Sequence, residues 1–283
     1  MSSPADRLGL PAAVGRGRAR WMSQAVTAAR GQVVRACDAR HPLAALLAGV
    51  AGWEVAGRTL HYSFLPPFSN VLRAAVGLIA SGQILGYLAI SLVSLAVGYG
   101  LAVVGGVLLG LLMGRYRWVE VVVDPYLGAF LAAPKLIFVP VLYALFGIGR
   151  GTQFAVVFLN AFFVIVVSTV TAIRQADVST IEMARAFGTS ERQLFSKVLL
   201  PGALPLTMVG LRLGMGRAVK GMISGEMFIA LSGLGALLRK YGGRFDSERV
   251  FAILLVIIVV ALACSAAVRA VERRVIVWLE PGL

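Results

Sequence analysis

The run Ile84–Met113, ILGYLAISLVSLAVGYGLAVVGGVLLGLLM, decides the fold. It holds no charged residue, and as a helix rising 1.5 Å per residue it is long enough to cross a hydrocarbon core of about 30 Å. Within and just beyond it, Gly98, Ala102, Gly106, Gly110 and Gly114 recur every fourth residue, leaving one helix face almost bare. Lipid removes the usual hydrophobic drive between helices, so such a stripe marks a place where a second backbone comes close. We expect that contact inside this chain rather than across a dimer. Gly210/Gly214 and Gly221/Gly225 make shorter versions of the same pattern downstream.

The rest of the chain agrees with a membrane solvent. Hydrophobic residues make up 59% and charged residues 14% of 283 positions, and the mean hydropathy is +0.85. That apolar share is well above the ~45–50% of soluble domains. Six apolar runs suit membrane crossings: Pro42 to Val55, Ile84 to Met113, Val121 to Gly147, Thr152 to Ile173, Leu204 to Ala230 and Val250 to Val268. The expected fold is therefore an all-α integral membrane protein of about six transmembrane helices. Between the first two runs, SFLPPFSNVLRAAVGLIASG reads as a proline-rich entry into a short amphipathic surface helix.

The net charge of +14 does not point to nucleic acid, because most cations flank the apolar runs. Arg7, Arg16, Arg18, Arg20, Arg30, Arg35 and Arg40 form a basic tail over residues 1–41, without the apolar core of a cleavable signal peptide. Placing this tail inside also places Arg115, Arg117, Arg174, Arg185, Arg192, Lys197, Arg269, Arg273 and Arg274 inside, a clear majority of the cations. Both termini, including residues 278–283, and the polar interruption after Ile173 are then expected on the cytoplasmic face, with the membrane domain at 42–277.

That interruption, VSTIEMARAFGTSERQLFSKVLLPGALP from Val178 to Pro205, carries strong local signals. Ser179 with Glu182, and Ser190 with Gln193, have the spacing of capping boxes. Gly188 stands where the first short helix must end, and Pro201 is expected to stop the second and open the next span. A helix, glycine turn and helix at the membrane surface suits either a lipid-surface element or a docking device.

Ionisable residues within spans are expensive and are functional candidates by default. Span three holds Pro134, Lys135 and Pro140, which suit either ordinary kinks or a broken helix lining a wet path. Span five holds Arg212, Arg217, Lys220 and Glu226 within about half the helix circumference. Three cations against one carboxylate would attract an anion, although Arg212 could snorkel and Glu226 could pair with a neighbouring cation. Glu54 and Arg58 suit an i,i+4 structural pair. Cys37 and Cys264 indicate no disulfide framework, and no metal-ligand cluster or catalytic group is apparent. There is no G-x-x-x-x-G-K-[ST] phosphate loop and no H-E-x-x-H, and the two histidines, His41 and His61, flank the first run.

These residues together resemble the transmembrane permease subunit of a bacterial binding-protein-dependent ABC importer of the nitrate, sulfonate and taurine type. The resemblance covers roughly Leu65 to Pro281. Glu182, Met183, Ala184, Gly188, Leu200 and Pro201 resemble the family's EAA loop, with Met183 in place of its second residue. LPPFSNV, Asp124-Pro125, the segment APKLIFVPVLYALFGIG, GLRLGMGRA, Glu226 and SGLGALL also match, with Leu145 where many members carry tryptophan. The resemblance implies a type I importer permease fold in the bacterial inner membrane. Two copies, a homodimer in the simplest case, would form the pore for a small, anionic solute such as nitrate, a sulfonate or taurine. An external solute-binding protein would deliver that solute. The loop 178–201 would seat on a cytoplasmic ATPase dimer, which would bind the ATP and Mg; this chain would hold no cofactor and have no enzymatic site. Two alternatives are a gradient-driven secondary transporter, which leaves the loop without a task, and a membrane enzyme, which lacks a catalytic cluster.

Overall fold

The computed structural model describes residues 40–60, 64–229 and 232–276, all of them helix or the turns between helices. The arginines of the tail before residue 40, Cys37, His61, Ala230 and residues 278–283 lie outside the described residues. In chain order the helices are α1 (Arg40–Thr59), α2 (Phe68–Ala80), α3 (Gln83–Arg115), α4 (Arg117–Ala132), α5 (Val139–Phe146), α6 (Arg150–Arg174), α7 (Val178–Ala186), α8 (Leu200–Ile229), α9 (Gly233–Gly242) and α10 (Ser247–Val275). The chain divides into two units, Met1–Phe68 and Ser69–Leu283.

Among the described residues, four helical stretches are long and apolar enough to cross a membrane: Gln83–Arg115, Arg150–Arg174, Glu191–Ile229 and Ser247–Val275. The paired helices α4 and α5 make a fifth if they count as one broken span. The all-α membrane fold is as expected; of the six expected runs, the first, Pro42 to Val55, is not among these stretches. The first run does fold as a helix, but Arg40, His41, Glu54 and Arg58 leave it too little uninterrupted apolar length. Within its own unit, α1 is met by the proline-rich segment: Trp53 Nε1 donates to the Pro66 carbonyl at 3.1 Å, and the Trp53 and Phe68 rings lie edge to face. Glu54 and Arg58 form the expected ion pair at 2.6 Å. Helix α2 has the expected amphipathic form, burying Val71, Ala75 and Leu78.

The second unit is organised around α6. On one side runs the stripe of α3: a Cβ added to Gly98 would lie 2.6 Å from the Val157 Cβ, at Gly106 2.9 Å from Ile165, and at Gly110 2.6 Å from Thr169. On the other side runs α8, where Gly214 meets Ile165, Gly221 meets Asn160, and Gly210 meets Ser168 so closely that no Cβ fits. Leu95, Ala102, Val157, Ala161, Ile165, Met215, Ala218, Val219 and Met222 make the common core. Tyr99 adds a hydrogen bond from its hydroxyl to the Leu211 carbonyl at 2.9 Å, tying α3 to α8 directly. Helix α4 packs on α6 through Leu127, Phe163, Val166 and Val170, joined by Met113 of α3, with Phe130 stacked on Phe163 at 4.8 Å. The stripe therefore is an intrachain contact, as its spacing implied.

Two apolar runs differ from their expected form. The third is not one helix: α4 ends at Ala132, a 3₁₀ turn covers Lys135–Phe138, and α5 leaves at 101° to α4. Pro134 and Pro140 each lack an N–H, so the chain breaks at the first and restarts at the second. The fifth is longer than expected. A turn at Glu191–Gln193 and a π-helical segment at Leu194–Leu199 lead without a gap into α8, so Pro201 does not stop a helix. In the π segment the Leu200 N–H reaches the Phe195 carbonyl five residues back. Pro201, with no N–H to give, follows directly on this π segment, where the regular i to i−4 ladder is already interrupted.

The close approach is testable. Gly98→Leu should destabilise the detergent-purified protein by about 1–3 kcal/mol or more, because the new side chain meets the Phe154 carbonyl and Val157. Gly100→Leu, whose Cβ would meet nothing within 4 Å, should leave the thermal unfolding midpoint unchanged or higher. Equal effects from the two substitutions would argue against the packing described.

Candidate translocation face and coupling loop

Helix α8 carries most of the ionisable side chains singled out within the spans, and the structure distributes them over distinct faces. The glycine face is occupied by α6. A quarter-turn away, Leu213, Arg217 and Lys220 stand exposed, and neither cation has an ion pair among the described residues. On the remaining side, Arg212 and Glu226 are engaged. Arg212 forms an ion pair with Glu272 of α10 at 3.4 Å. The four residues of the expected path thus separate into two exposed cations and two groups used in packing.

Glu226 is fully buried, and its partner is main chain rather than a cation. Its Oε2 accepts the Gly235 N–H at 2.9 Å, in the first turn of α9, where a carboxylate also meets the positive end of the helix dipole. Beside it, the Ser91 hydroxyl of α3 accepts the Leu234 N–H at 2.9 Å. Nearby, Ser94 donates to Gln153 Oε1 at 2.9 Å, and Gln153 Nε2 donates to Ser232 at 3.2 Å. Ser91, Ser94 and Gln153 were not singled out in the sequence; their signal was small polar residues on otherwise apolar helices, placed where buried backbone donors needed acceptors. The turn into α9 explains the run SGLG. Gly233 has φ +86, and any Cβ there would fall into the Glu226 carboxylate. A Cβ at Gly235 would lie 2.6 Å from the Ile223 carbonyl.

The break between α4 and α5 presents Lys135. Its Nζ donates to the Leu131 carbonyl at 3.0 Å, satisfying one of the acceptors exposed at the end of α4. Lys135 is also near enough to Arg217 for the two charges to repel. The bend thus places Lys135 within electrostatic reach of Arg217, with Lys220 one turn along α8 from Arg217. Pro134 and Pro140 shape the bend.

The polar loop follows α6. Its first capping box is not formed: α7 starts two residues earlier than Ser179 implied, and Asp177 is the N-cap, accepting from the Ser179 N–H at 3.1 Å and the Ser179 hydroxyl at 2.6 Å. A carboxylate with two local donors outcompetes a serine hydroxyl for that position. Those bonds from Ser179 hold the Asp177 carboxyl below the usual carboxylate range. The second box is present, with Ser190 and Gln193 bonded reciprocally. Gly188 takes φ +74 and closes α7 as expected. Outside, Met183 and Phe187 are exposed, Phe187 at 83%. Leu194 is buried at 2%, and the Arg115 guanidinium at the end of α3 stacks over Phe195 at 4.9 Å. One side of the loop is locked to the spans, and the other offers an unpaired apolar knob. Glu182, Ala184, Leu200 and Pro201 complete this stretch.

A bundle with a broken span, an unpaired cationic face and a surface loop continuous with the helix bearing that face defines the permease class of membrane transport subunits. The chain belongs to the family described as binding-protein-dependent transport system inner membrane component, which it matches over residues 106–277. It is a multi-pass inner-membrane protein and a permease subunit of an ABC importer, a class that works with an ATPase and a binding protein. It is 30% identical over 232 residues to a protein of Brucella abortus (strain 2308) named as a probable ABC transporter permease protein, covering 82% of this chain and 92% of the relative. It is 28% identical to the taurine transport system permease protein TauC of Escherichia coli (strain K12), covering 76% and 80%. It is 29% identical to the formylaminopyrimidine transport permease protein ThiX of Halalkalibacterium halodurans, covering 86% and 98%. Among solved structures, the inward-facing MetNI methionine ABC transporter matches with a TM-score of 0.53 and 22% identity over 68% of this chain and 94% of that one, which supports the fold.

The buried carboxylate gives a test. Glu226→Leu should loosen the start of α9 by leaving the Gly235 N–H without its acceptor, a cost of about 1–3 kcal/mol. Thiol labelling of a cysteine placed at the buried Leu237 would report it as faster modification, and Glu226→Gln, which keeps an acceptor, should restore protection. Unchanged labelling in Glu226→Leu would remove the carboxylate from the seating of α9.

Proposed function

We propose that this permease conducts a small anionic solute, of the sulfonate kind, along the face bearing Arg217 and Lys220, with Lys135 at its edge. The observation that carries the proposal is that these cations stand exposed and without carboxylate partners within a membrane-spanning helix. A charge in that position needs a partner or water, and an anion in transit supplies one. The name of the taurine relative agrees with this reading. The name of the formylaminopyrimidine relative does not require it, and the cationic face supports the anionic reading for this chain.

In the same proposal, two copies of the chain face each other across the path as a homodimer. Both termini and the loop 178–201 lie in the cytoplasm, with a tail over 1–41, the membrane domain over 42–277 and a short end over 278–283. The loop seats on the ATPase with Phe187 and Met183 as apolar knobs and Glu182 beside them. ATP and Mg belong to the ATPase, and this chain contributes no nucleotide site. From Glu191 onward the helix runs without a gap into the cationic face, so movement of the ATPase would pass through the Gly188 turn into α8.

Reconstituted with its ATPase and binding protein in proteoliposomes, Arg217→Ala/Lys220→Ala should lower uptake of a sulfonate by about tenfold or more, the loss expected for one or two charge-assisted contacts. ATPase association should persist. Undiminished uptake in the double variant would defeat the anion path. Separately, Phe187→Asp and Gly188→Trp should abolish co-purification of the ATPase while membrane insertion continues, since one removes the knob and the other strains a left-handed turn. Full ATPase retention in both variants would remove the docking role.

A further inference from the structure

At the bundle end that carries the loop, α8 and α10 diverge and leave a groove of about 580 Å³. Its walls are apolar, from Leu206, Val209 and Ile276, while its rim holds Arg212, Arg269, Arg273 and Glu272. Glu272 is taken by Arg212. Arg269 and Arg273, one helical turn apart, are exposed and have no ion pair among the described residues.

Their depth is set by the helix. Ser247–Val275 has 29 residues, about 43 Å at 1.5 Å per residue, which exceeds a hydrocarbon core of about 30 Å. The uncharged run Val250 to Val268 fills that core, so Arg269 falls at its boundary and Arg273 one turn beyond, at the level of lipid phosphates. An apolar cleft opening onto a pair of uncompensated arginines matches a molecule with acyl chains and an anionic head.

We propose that this groove is a binding site for one anionic phospholipid, its phosphate held by Arg269 and Arg273 and its chains lying against Leu206, Val209 and Ile276. Arginine suits the task because its planar fork binds phosphate oxygens in pairs. Glu272 is engaged by Arg212 and so does not neutralise Arg269 and Arg273. A free phosphate ion would have no use for the apolar walls, and a zwitterionic lipid, with no net charge, would leave both arginines uncompensated where an anionic lipid offsets one of them. The site stands whether or not the transported solute is an anion, since Arg217 and Lys220 take no part in it.

The test is native mass spectrometry of the intact transporter complex released from mixed phosphatidylcholine and phosphatidylglycerol vesicles. The wild type should retain one phosphatidylglycerol in preference to phosphatidylcholine. Arg269→Gln/Arg273→Gln should lower that retention about thirtyfold, as the loss of two interfacial charges requires. Arg269→Lys/Arg273→Lys should keep most of it, which separates charge from folding, and Arg185→Gln/Arg192→Gln in the loop should change nothing. Equal retention in wild type and the glutamine variant would overturn the proposal. So would displacement of the lipid by inorganic phosphate, or a groove that binds lipid only when the ATPase is removed, since these identify a soluble anion or the ATPase as its occupant.

Discussion

Everything in the second unit depends on how closely α6 can be approached. Its side chains Val157, Ile165, Thr169 and Ile173 project into glycines of α3 on one side, while Gly214, Gly221 and Gly225 of α8 receive Ile165, Asn160 and Val156 on the other. In a bilayer the apolar surface of a helix is as well solvated by lipid as by protein, so such interdigitation and the few interhelical hydrogen bonds supply the association energy. The helices that carry chemistry are positioned by helices that carry none. Arg217 and Lys220 face outward because the glycine edge of α8 is committed to α6.

The buried polar groups show a second layer of the same economy. Glu226, Ser91, Ser94, Gln153 and Ser232 join α3, α6, α8 and the entry to α9 through hydrogen bonds that satisfy backbone donors at a turn. Such donors would otherwise be stranded away from water. The carboxylate therefore fixes where α9 begins, and the glycines at 233 and 235 leave space for it. Lys135 performs a comparable service at the end of α4 while still presenting its charge beside Arg217.

Much of this was legible beforehand, for identifiable reasons. Small residues at intervals of four and long uncharged runs are local signals, so the membrane class, the intrachain stripe and the short amphipathic α2 could be read directly. Gly188 and the Ser190/Gln193 box were equally local. What could not be read depended on partners distant in sequence. Charge counting suggested a cation for Glu226, whereas its partner is the Gly235 N–H across a tight turn. Two prolines announced an irregularity near Lys135 without giving the 101° between α4 and α5, which the packing of Val139 and Leu142 against Val156 sets. Pro201 looked like a terminator because the wider π turn before it leaves no compositional trace. The first apolar run was counted as a span although its ends are charged.

That π segment has a geometric consequence. A π turn takes up an additional residue relative to α-helical winding, and each residue of an α-helix advances the azimuth by about 100°. The widened turn at Leu194–Leu199 thus sets the rotational phase between the face of the loop that bears Phe187 and the face of α8 that bears Arg217 and Lys220. Deleting a single residue there, with α-helical winding restored, would leave both surfaces chemically intact while pointing them in directions that no longer correspond. The segment acts as a keyed coupling on a shaft: what it transmits is orientation, and one residue is the unit in which that orientation is counted.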